Sequence, residues 1–147
     1  SSCGPTHTEV MVTTEGVKMV ELAARGGGFR VFSDVIPLVS GVDAVVETVK
    51  MALGEVPDIK AKAQRGAVLR FFNPACVGTL KRVAGLDVAR AIPGVVDVQV
   101  EIVPGAVLKP IASDGDRPGY MLVSGRDRAE VQARARMVED AVDFELE

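Results

Sequence analysis

Two acidic residues, Glu9 and Glu21, carry the clearest potential for chemistry in this sequence. They belong to two segments rich in β-branched residues, 8–13 and 17–23, and this pattern predicts the two arms of a β-hairpin. If the loop consists of the three residues Thr14–Gly16, the register places Glu9 directly opposite Glu21 on one face of the hairpin. Their Cβ atoms would then lie about 5 Å apart.

The relative orientation of these two carboxylates decides what they can do. Two full charges about 5 Å apart repel each other by roughly 3 kcal/mol at an effective dielectric constant of about 20. A bridging Mg²⁺ would convert that repulsion into metal binding. A two-residue turn at Glu15-Gly16 instead places Glu9 and Glu21 on opposite faces, where both are ordinary solvated residues. The spacing alone leaves both registers open.

Arg25 lies four residues after Glu21, on the same strand face if the strand continues, and three glycines follow it directly. A guanidinium can bind a phosphate or a carboxylate through two hydrogen bonds, and the N–H groups of a glycine-rich backbone can approach the same anion. Together with Glu9 and Glu21, Arg25 and the run Gly26–Gly28 therefore indicate a site for a metal ion, a phosphate and a carboxylate.

The composition limits the other options. The chain has 147 residues, a formal net charge of −3 and a single histidine, His7, so a histidine-based catalytic triad has one candidate only. The slightly acidic balance argues against nucleic-acid binding, and no apolar run approaches the length of a membrane span. Two cysteines, Cys3 and Cys76, are too few for a disulfide framework. We therefore expect a cytoplasmic protein with no nucleic-acid or membrane partner, in which Cys76 is a small apolar residue at a strand edge.

The remaining periodicity predicts the element order ββααββαβββα, which is typical of an α+β fold. After the hairpin we expect a short helix that ends at residue 39, with Ser33 or Asp34 as its N-cap, a second helix at 42–53 and a loop at 55–66. Strands at 67–72 and 78–83, a helix at 86–92, strands at 95–103, 106–109 and 120–124, and a helix from 127 to about 142 follow. Pro37 limits the first helix, and the strands 67–72 and 78–83 are expected to pair as a hairpin. Apolar stripes mark two helices: Val42, Val45, Val46, Val49 and Leu53 in the second, and Val131, Ala135, Val138 and Val142 in the last.

Several motifs together resemble a known family. The runs that carry the resemblance are His7-Thr8-Glu9, Glu21-Leu22-Ala23-Ala24-Arg25, Gly27-Gly28 and Ser40-Gly41-Val42-Asp43. They are similar to the C-terminal end of an ATP-grasp domain, and Gly4–Glu9, Phe71-Phe72-Asn73 and Pro104-Gly105 point to the amino-acid (dipeptide) ligase and biotin-carboxylase-like branch. The resemblance implies an antiparallel sheet with helices, the end of the ATP-grasp domain, in residues 1–58, and a small α+β C-terminal domain in residues 59–147.

The resemblance also implies a role for each residue of the predicted site. Glu9 and Glu21 would bind Mg²⁺ and, through it, ATP, while Arg25 would stabilise the transferred phosphate and the acyl-phosphate intermediate. Gly27 and Gly28 would hold the substrate carboxylate or acyl group. For His7 there are two alternatives: a contact with the substrate or a phosphate, or a hydrogen-bonded structural role at the start of the strand. Ala23 departs from the asparagine usual in the family, which removes one potential metal ligand.

The expected function is that of one part of an ATP-dependent carboxylate–amine ligase. In the ATP-grasp superfamily the nucleotide lies between this sheet and a preceding lid unit, so we expect the 147 residues alone not to turn over ATP. The implied partners are the N-terminal ATP-grasp parts, in the same chain or a separate subunit, and small carboxylate and amine substrates. The alternative is a non-catalytic module that docks onto another subunit or forms a homodimer, with Glu9 and Glu21 merely exposed.

Overall fold

The computed structural model describes residues 3–75 and 77–147, so the predicted position of Cys76 lies outside the described residues. The element order is the predicted one with one additional strand at the end, and the α+β class is confirmed. The chain divides into two units, residues 1–64 and 65–147. The proposed domains 1–58 and 59–147 stay a prediction. No helix among the described residues is long and apolar enough to cross a membrane.

The first unit opens with an antiparallel hairpin of β1 (His7–Thr13) and β2 (Gly16–Ala23). Both predicted turns are wrong, because Thr13 pairs with Gly16 across a two-residue turn. The hydroxyl of Thr13 donates to the carbonyl of Gly16 (2.8 Å) and accepts from the N–H of Glu15 (3.2 Å), which closes the short turn. Gly16 has a φ of 108°, a conformation that favours glycine.

A β-bulge further along the hairpin restores the pairing that matters for the site. The register shifts by one residue between the pairs Val10–Met19 and Glu9–Glu21, and Val20 is the extra residue on β2. Glu9 therefore does pair with Glu21, as the three-residue loop predicted, although a shorter turn plus a bulge produces this register.

Helices follow the glycine run in the first unit. A single π-helical turn (Val31–Val35) leads directly into α1 (Ile36–Ser40), and α2 spans Ala44–Ala52. The predicted N-caps Ser33 and Asp34 are wrong, since the helical turns begin after a left-handed Arg30. Pro37 lies in the first turn of α1, directly after the π-helical turn, where the fixed φ of proline fits the helix.

The start and the surface of α2 also differ from expectation. The carboxylate of Asp43 caps the helix by accepting from the N–H groups of Val45 (3.1 Å) and Val46 (3.0 Å), so the helix begins two residues later than predicted. Of the predicted apolar stripe, Val42 is buried, whereas the helical residues and Leu53 are exposed. The buried residue of α2 is instead Glu47, which is 7% exposed.

Glu47 binds the segment that follows α2 through a hydrogen bond to its backbone. Its carboxylate accepts from Lys50 Nζ (2.8 Å) and from the backbone N–H of Asp58 (2.6 Å). The carbonyl of Ser40 accepts from the N–H groups of Lys62 (2.7 Å) and Ala63 (2.9 Å). Within the predicted loop 55–66, residues 58–63 are therefore hydrogen-bonded to both α1 and α2, and the last residue, Gly66, already belongs to a strand.

Glu47 should contribute stability that depends on pH. The Lys50 ammonium, together with the N–H of Asp58, holds the pKa of Glu47 below its usual value. A lowered folded-state pKa gives stabilisation that is complete at neutral pH and disappears as the pH falls from about 4.3, the ordinary glutamate pKa, through the lowered value. We expect Glu47→Gln to destabilise the chain at pH 7 and the difference from wild type to shrink towards pH 3, measured by urea unfolding. Glu15→Gln is the matched control, because Glu15 also pairs with a lysine three residues on, Lys18, but is exposed.

The second unit contains two three-stranded antiparallel sheets and two helices. Its elements are β3 (Gly66–Phe71), β4 (Gly78–Ala84), α3 (Leu86–Ala91), β5 (Val95–Val100), β6 (Val107–Leu108), a 3₁₀ turn (Asp114–Asp116), β7 (Gly119–Gly125), α4 (Arg128–Ala141) and β8 (Asp143–Leu146). The strand orders are β3-β7-β5 and β6-β4-β8. The predicted β3–β4 hairpin is wrong, because the two strands belong to different sheets. The sequence pattern missed β8, which spans only four residues.

The core of the second unit lies where α4 packs on β3 and β7 and where α3 packs on β5. Asp127 caps α4 by accepting from the N–H of Glu130 (2.9 Å), and the predicted apolar stripe of this helix is buried. One contiguous cluster of this core consists of the buried residues Phe72, Ala89, Val98, Met121, Val123, Ala135, Val138 and Val142.

Gly85 and Gly105 of this unit have a left-handed backbone, and only one of them has a close neighbour. Substituting each by alanine therefore measures the cost of the backbone conformation with and without a steric overlap. Gly85 and Gly105 have φ values of 78° and 90°, but an added Cβ would overlap the carbonyl oxygen of Ala141 at Gly85 and meet nothing within 4 Å at Gly105. We expect Gly105→Ala to cost about 1–2 kcal/mol from the left-handed backbone alone. Gly85→Ala should cost a further 1–3 kcal/mol or so for the overlap. Urea unfolding of both variants measures the difference, and equal losses would show that the Ala141 carbonyl moves aside freely.

Candidate functional site

The predicted site residues of the first unit lie together on the hairpin and the loop that follows it. Glu9 and Glu21 face each other across the strand pair, and each carboxylate is 55% exposed. A basic side chain lies beside each one: His7 Nε2 is 3.2 Å from Glu9 Oε1, and Arg25 Nη2 is 3.9 Å from Glu21 Oε1. Among residues 3–75 and 77–147, no group of three or more His, Cys, Asp or Glu side chains forms a metal site. The carboxylates can therefore supply a pair of oxygen ligands and no larger cage.

Arg25 and the glycine run supply donors for an anion. Arg25 Nη1 donates to the carbonyl of Gly26 (2.9 Å), which holds the half-exposed guanidinium over the start of the run. Within the described part of the chain, the N–H groups of Gly26, Gly27 and Gly28 donate no hydrogen bond to the protein. Free N–H groups beside a guanidinium are a suitable arrangement for binding a phosphate or a carboxylate.

Packing around the run explains why two of its positions are glycine. A Cβ on Gly26 would overlap the ring of Phe32, and one on Gly27 would lie 3.0 Å from His7 Nδ1 and 3.1 Å from Val31 Cγ1. Gly28 has open space around it. The imidazole of His7 thus lies between the carboxylate of Glu9 and the backbone of Gly27, so it connects the carboxylate pair to the glycine run.

One feature of the site was not found by sequence reasoning. Arg30 and Asp34 form a two-point ion pair directly after the glycine run, with Nη2 to Oδ1 at 2.9 Å and Nε to Oδ2 at 3.3 Å. The signal available was an arginine four residues before an aspartate, which is a common spacing for an ion pair on one helical turn. Asp34 was instead interpreted as a helix cap, a role that the backbone does not give it.

Comparison with known proteins adds the family. Residues 70–147, more than half of the chain, match the family model "L-amino acid ligase C-terminal domain 2". The chain belongs to this family. The match covers the second unit, whereas the carboxylates, Arg25 and the glycine run precede it, so membership of the L-amino acid ligase family rests on a different part of the chain from the candidate site.

Similar proteins extend the match to the first unit. The uncharacterized protein y4rH of Sinorhizobium fredii (strain NBRC 101917 / NGR234) is 30% identical over 146 residues, which are 97% of this chain and 30% of that protein. The L-amino acid ligase from Bacillus licheniformis superposes with a TM-score of 0.81 at 22% identity, over 98% of this chain and 36% of that chain. Phosphoribosylglycinamide synthetase from Anaerococcus prevotii gives 0.79 at 15% identity, over 97% and 37%.

These likenesses establish the fold of both units. The chain spans about a third of the length of each of these proteins. The predicted resemblance to the C-terminal part of ATP-grasp ligases is confirmed. The roles assigned to His7, Glu9, Glu21, Arg25, Gly27 and Gly28 stay predictions.

Proposed function

We propose that this chain supplies the C-terminal part of an ATP-dependent carboxylate–amine ligase. The observation that carries the proposal is the facing pair of Glu9 and Glu21 next to Arg25 and the glycine run, in a chain of the L-amino acid ligase family. Bound Mg²⁺ and ATP would supply the phosphoryl group: its transfer to the substrate carboxylate would give an acyl phosphate and ADP, and an amine would then displace phosphate to form the amide.

The carboxylate pair suits Mg²⁺ in its charge and exposure. Mg²⁺ is commonly held by one or two carboxylates together with phosphate oxygens and water, and Glu9 and Glu21 offer two exposed carboxylates opposite each other. Ala23, which pairs with His7, adds no ligand. In the proposal the metal therefore binds to the protein through Glu9 and Glu21, and phosphate oxygens and water complete its shell.

The anion donors suit the reacting groups of such a ligase. Arg25 would bind the phosphate that is transferred and stabilise the charge that develops on it. The unpaired N–H groups of Gly27 and Gly28 would hold the substrate carboxylate or acyl group. His7 would contact the substrate from the side of Gly27, and it also orients Glu9 by hydrogen bonding.

The hairpin carries an apolar surface that a partner would cover. The residues Val10, Val12, Val17, Met19 and Leu22 are all more than half exposed. Contiguous exposed apolar side chains of this kind mark interaction surfaces, and the related chains are about three times as long as this one. We propose the N-terminal ATP-grasp parts of the ligase as the partner, at a cytoplasmic location. The same surface favours a second candidate, a non-catalytic docking or dimerisation module.

An activity assay tests the proposal. The full polypeptide that carries this sequence is incubated with ATP, Mg²⁺ and a mixture of the twenty L-amino acids, and we expect phosphate release and new dipeptide masses. The 147 residues alone should release no phosphate; robust turnover by them would contradict this expectation. Retained Mg·ATP binding without amino-acid-dependent phosphate release would refute the substrate class. Absence of Mg·ATP binding in the full polypeptide, with self-association of the 147 residues, would favour the docking module.

A further inference from the structure

The backbone directly after the glycine run is held in an unfavourable conformation. Phe29 and Arg30 have φ values of 35° and 61°, and they are the non-glycine residues with positive φ in the described part of the chain. For residues with a Cβ this region costs roughly 1–2 kcal/mol each. Such conformations persist only where surrounding contacts impose them, and they concentrate at ligand clamps and active sites.

The contacts that impose this conformation converge on Arg30 and Asp34. The guanidinium of Arg30 binds both carboxylate oxygens of Asp34, and both side chains are less than a third exposed. The carbonyl of Arg30 accepts from the N–H groups of Asp34 and Val35, both at 3.0 Å, which closes the π-helical turn. Asp34 also accepts from the hydroxyl of Ser33. Asp34 therefore holds both the side chain and the backbone of Arg30, at the point where the glycine run passes into the helical turn.

The Arg30–Asp34 ion pair is connected to the candidate site by a chain of direct contacts. The N–H of Val31 donates to the carbonyl of Gly28 (3.1 Å), and the side chain of Val31 lies against Gly27. Gly27 in turn lies against the imidazole of His7, which bonds to Glu9. A displacement of Arg30 would therefore move the glycine backbone relative to the hairpin.

We propose that Asp34 is a positioning residue that holds the glycine run, through Arg30, where it meets the substrate. The inference rests on the proposed function, because it assumes that the substrate carboxylate binds to Gly27 and Gly28. Asp34 touches neither substrate nor metal and acts through the backbone of Arg30. The Arg30 guanidinium first, and then the Ser33 hydroxyl, hold the pKa of Asp34 below its usual value, as expected for a carboxylate that accepts hydrogen bonds in an ion pair.

Kinetics of the full polypeptide separate positioning from a structural role. With the amino-acid mixture as the varied substrate, we expect Asp34→Asn to raise KM about tenfold, in line with the coupling of residues in one ion pair, and to leave KM for Mg·ATP within about twofold. Arg30→Gly should raise this KM less than Asp34→Asn does, because glycine adopts the left-handed backbone without strain. The double variant should be no worse than Asp34→Asn alone. The control is Asp58→Asn, since Asp58 forms an exposed ion pair with Lys62 at the same four-residue spacing and takes no part in the Arg30–Asp34 pair.

Amide hydrogen exchange of the unliganded protein supplies a readout independent of activity. We expect exchange over residues 27–31 to rise about tenfold or more in Asp34→Asn, with the hairpin and the Asp58→Asn control unchanged. Unchanged exchange in this loop, or an equal rise in KM for both substrates, overturns the proposal. If Asp34→Asn does not fold, Arg30→Gly removes the same ion pair, and exchange over residues 27–31 that stays at the wild-type rate in this variant overturns the proposal. If wild type lacks ligase activity, the proposed function fails, and exchange still decides whether Asp34 holds the loop.

Discussion

Replacing Arg25 by alanine is expected to lower dipeptide formation by the full polypeptide about 10³-fold, the scale of losing an arginine that stabilises a transferred phosphoryl group. The protein contacts of Arg25 are modest: one hydrogen bond to the carbonyl of Gly26 and a 3.9 Å approach to Glu21, with the side chain 58% exposed. Its removal should therefore leave the unfolding midpoint nearly unchanged. A large loss of rate at constant stability is the signature of a residue that acts on the reacting groups.

Two further variants make the Arg25 experiment decisive. Arg25→Lys keeps the charge and loses the planar two-point geometry, so its rate should lie between wild type and Arg25→Ala. Arg126→Ala removes an exposed arginine that pairs with Glu130 in the second unit and should leave the rate within about twofold. A tenfold loss of rate corresponds to about 1.4 kcal/mol of activation free energy. If the Arg25→Ala enzyme retains more than a tenth of the wild-type rate, Arg25 does not touch the transferred group.

The second large effect is expected from Glu21→Gln, measured as thermal stabilisation of the full polypeptide by Mg·ATP. At a ligand concentration about 100-fold above Kd, binding stabilises the wild type by about 2.7 kcal/mol. Glu21→Gln should lose most of this stabilisation, because Glu21 supplies one of the two facing carboxylates. Adding EDTA should make the wild type behave like the variant.

The same variant should behave differently in the absence of metal. Removing one of two facing carboxylates relieves repulsion, so the unliganded Glu21→Gln protein should be as stable as wild type or slightly more stable, by less than about 1 kcal/mol for side chains this exposed. The roughly 3 kcal/mol inferred from spacing is too large here, since both carboxylates are half-exposed and each has a basic neighbour. Glu15→Gln, on the same hairpin, should change neither measurement. A clear destabilisation of metal-free Glu21→Gln would mean that Glu21 has a structural role.

The sequence predicted that Glu9 can pair with Glu21, but only because two errors in the predicted register cancel. Spacing and β-branched composition located both strands, but the predicted loop was one residue too long and the bulge at Val20 went unnoticed. Alternation of apolar and polar residues normally reveals such a shift, because one face is buried. Here most residues of β1 and β2 are exposed on both faces, so the pattern contained no information on register.

Other features depended on contacts that are distant in sequence or on backbone conformation. The last helix was predictable because Asp127 and a regular apolar stripe are local signals. The pairing of β3 with β7 was not, since the next strand along the chain, β4, is the more common neighbour. The left-handed Arg30 was also unpredictable, because an arginine rarely adopts a positive φ and its residue type gives no signal for one.

The bulge at Val20 makes the carboxylate pair tolerant of changes in chain length. Val20 is a spare residue, because the strand could lose it and still pair Val10 with Met19 and Glu9 with Glu21. In a regular hairpin, one residue gained or lost between the turn and the carboxylates would rotate Glu21 to the opposite face. Here the loss of one residue from β2 would be absorbed by the disappearance of the bulge. The strand can thus become one residue shorter between the turn and Glu21 without separating the two carboxylates.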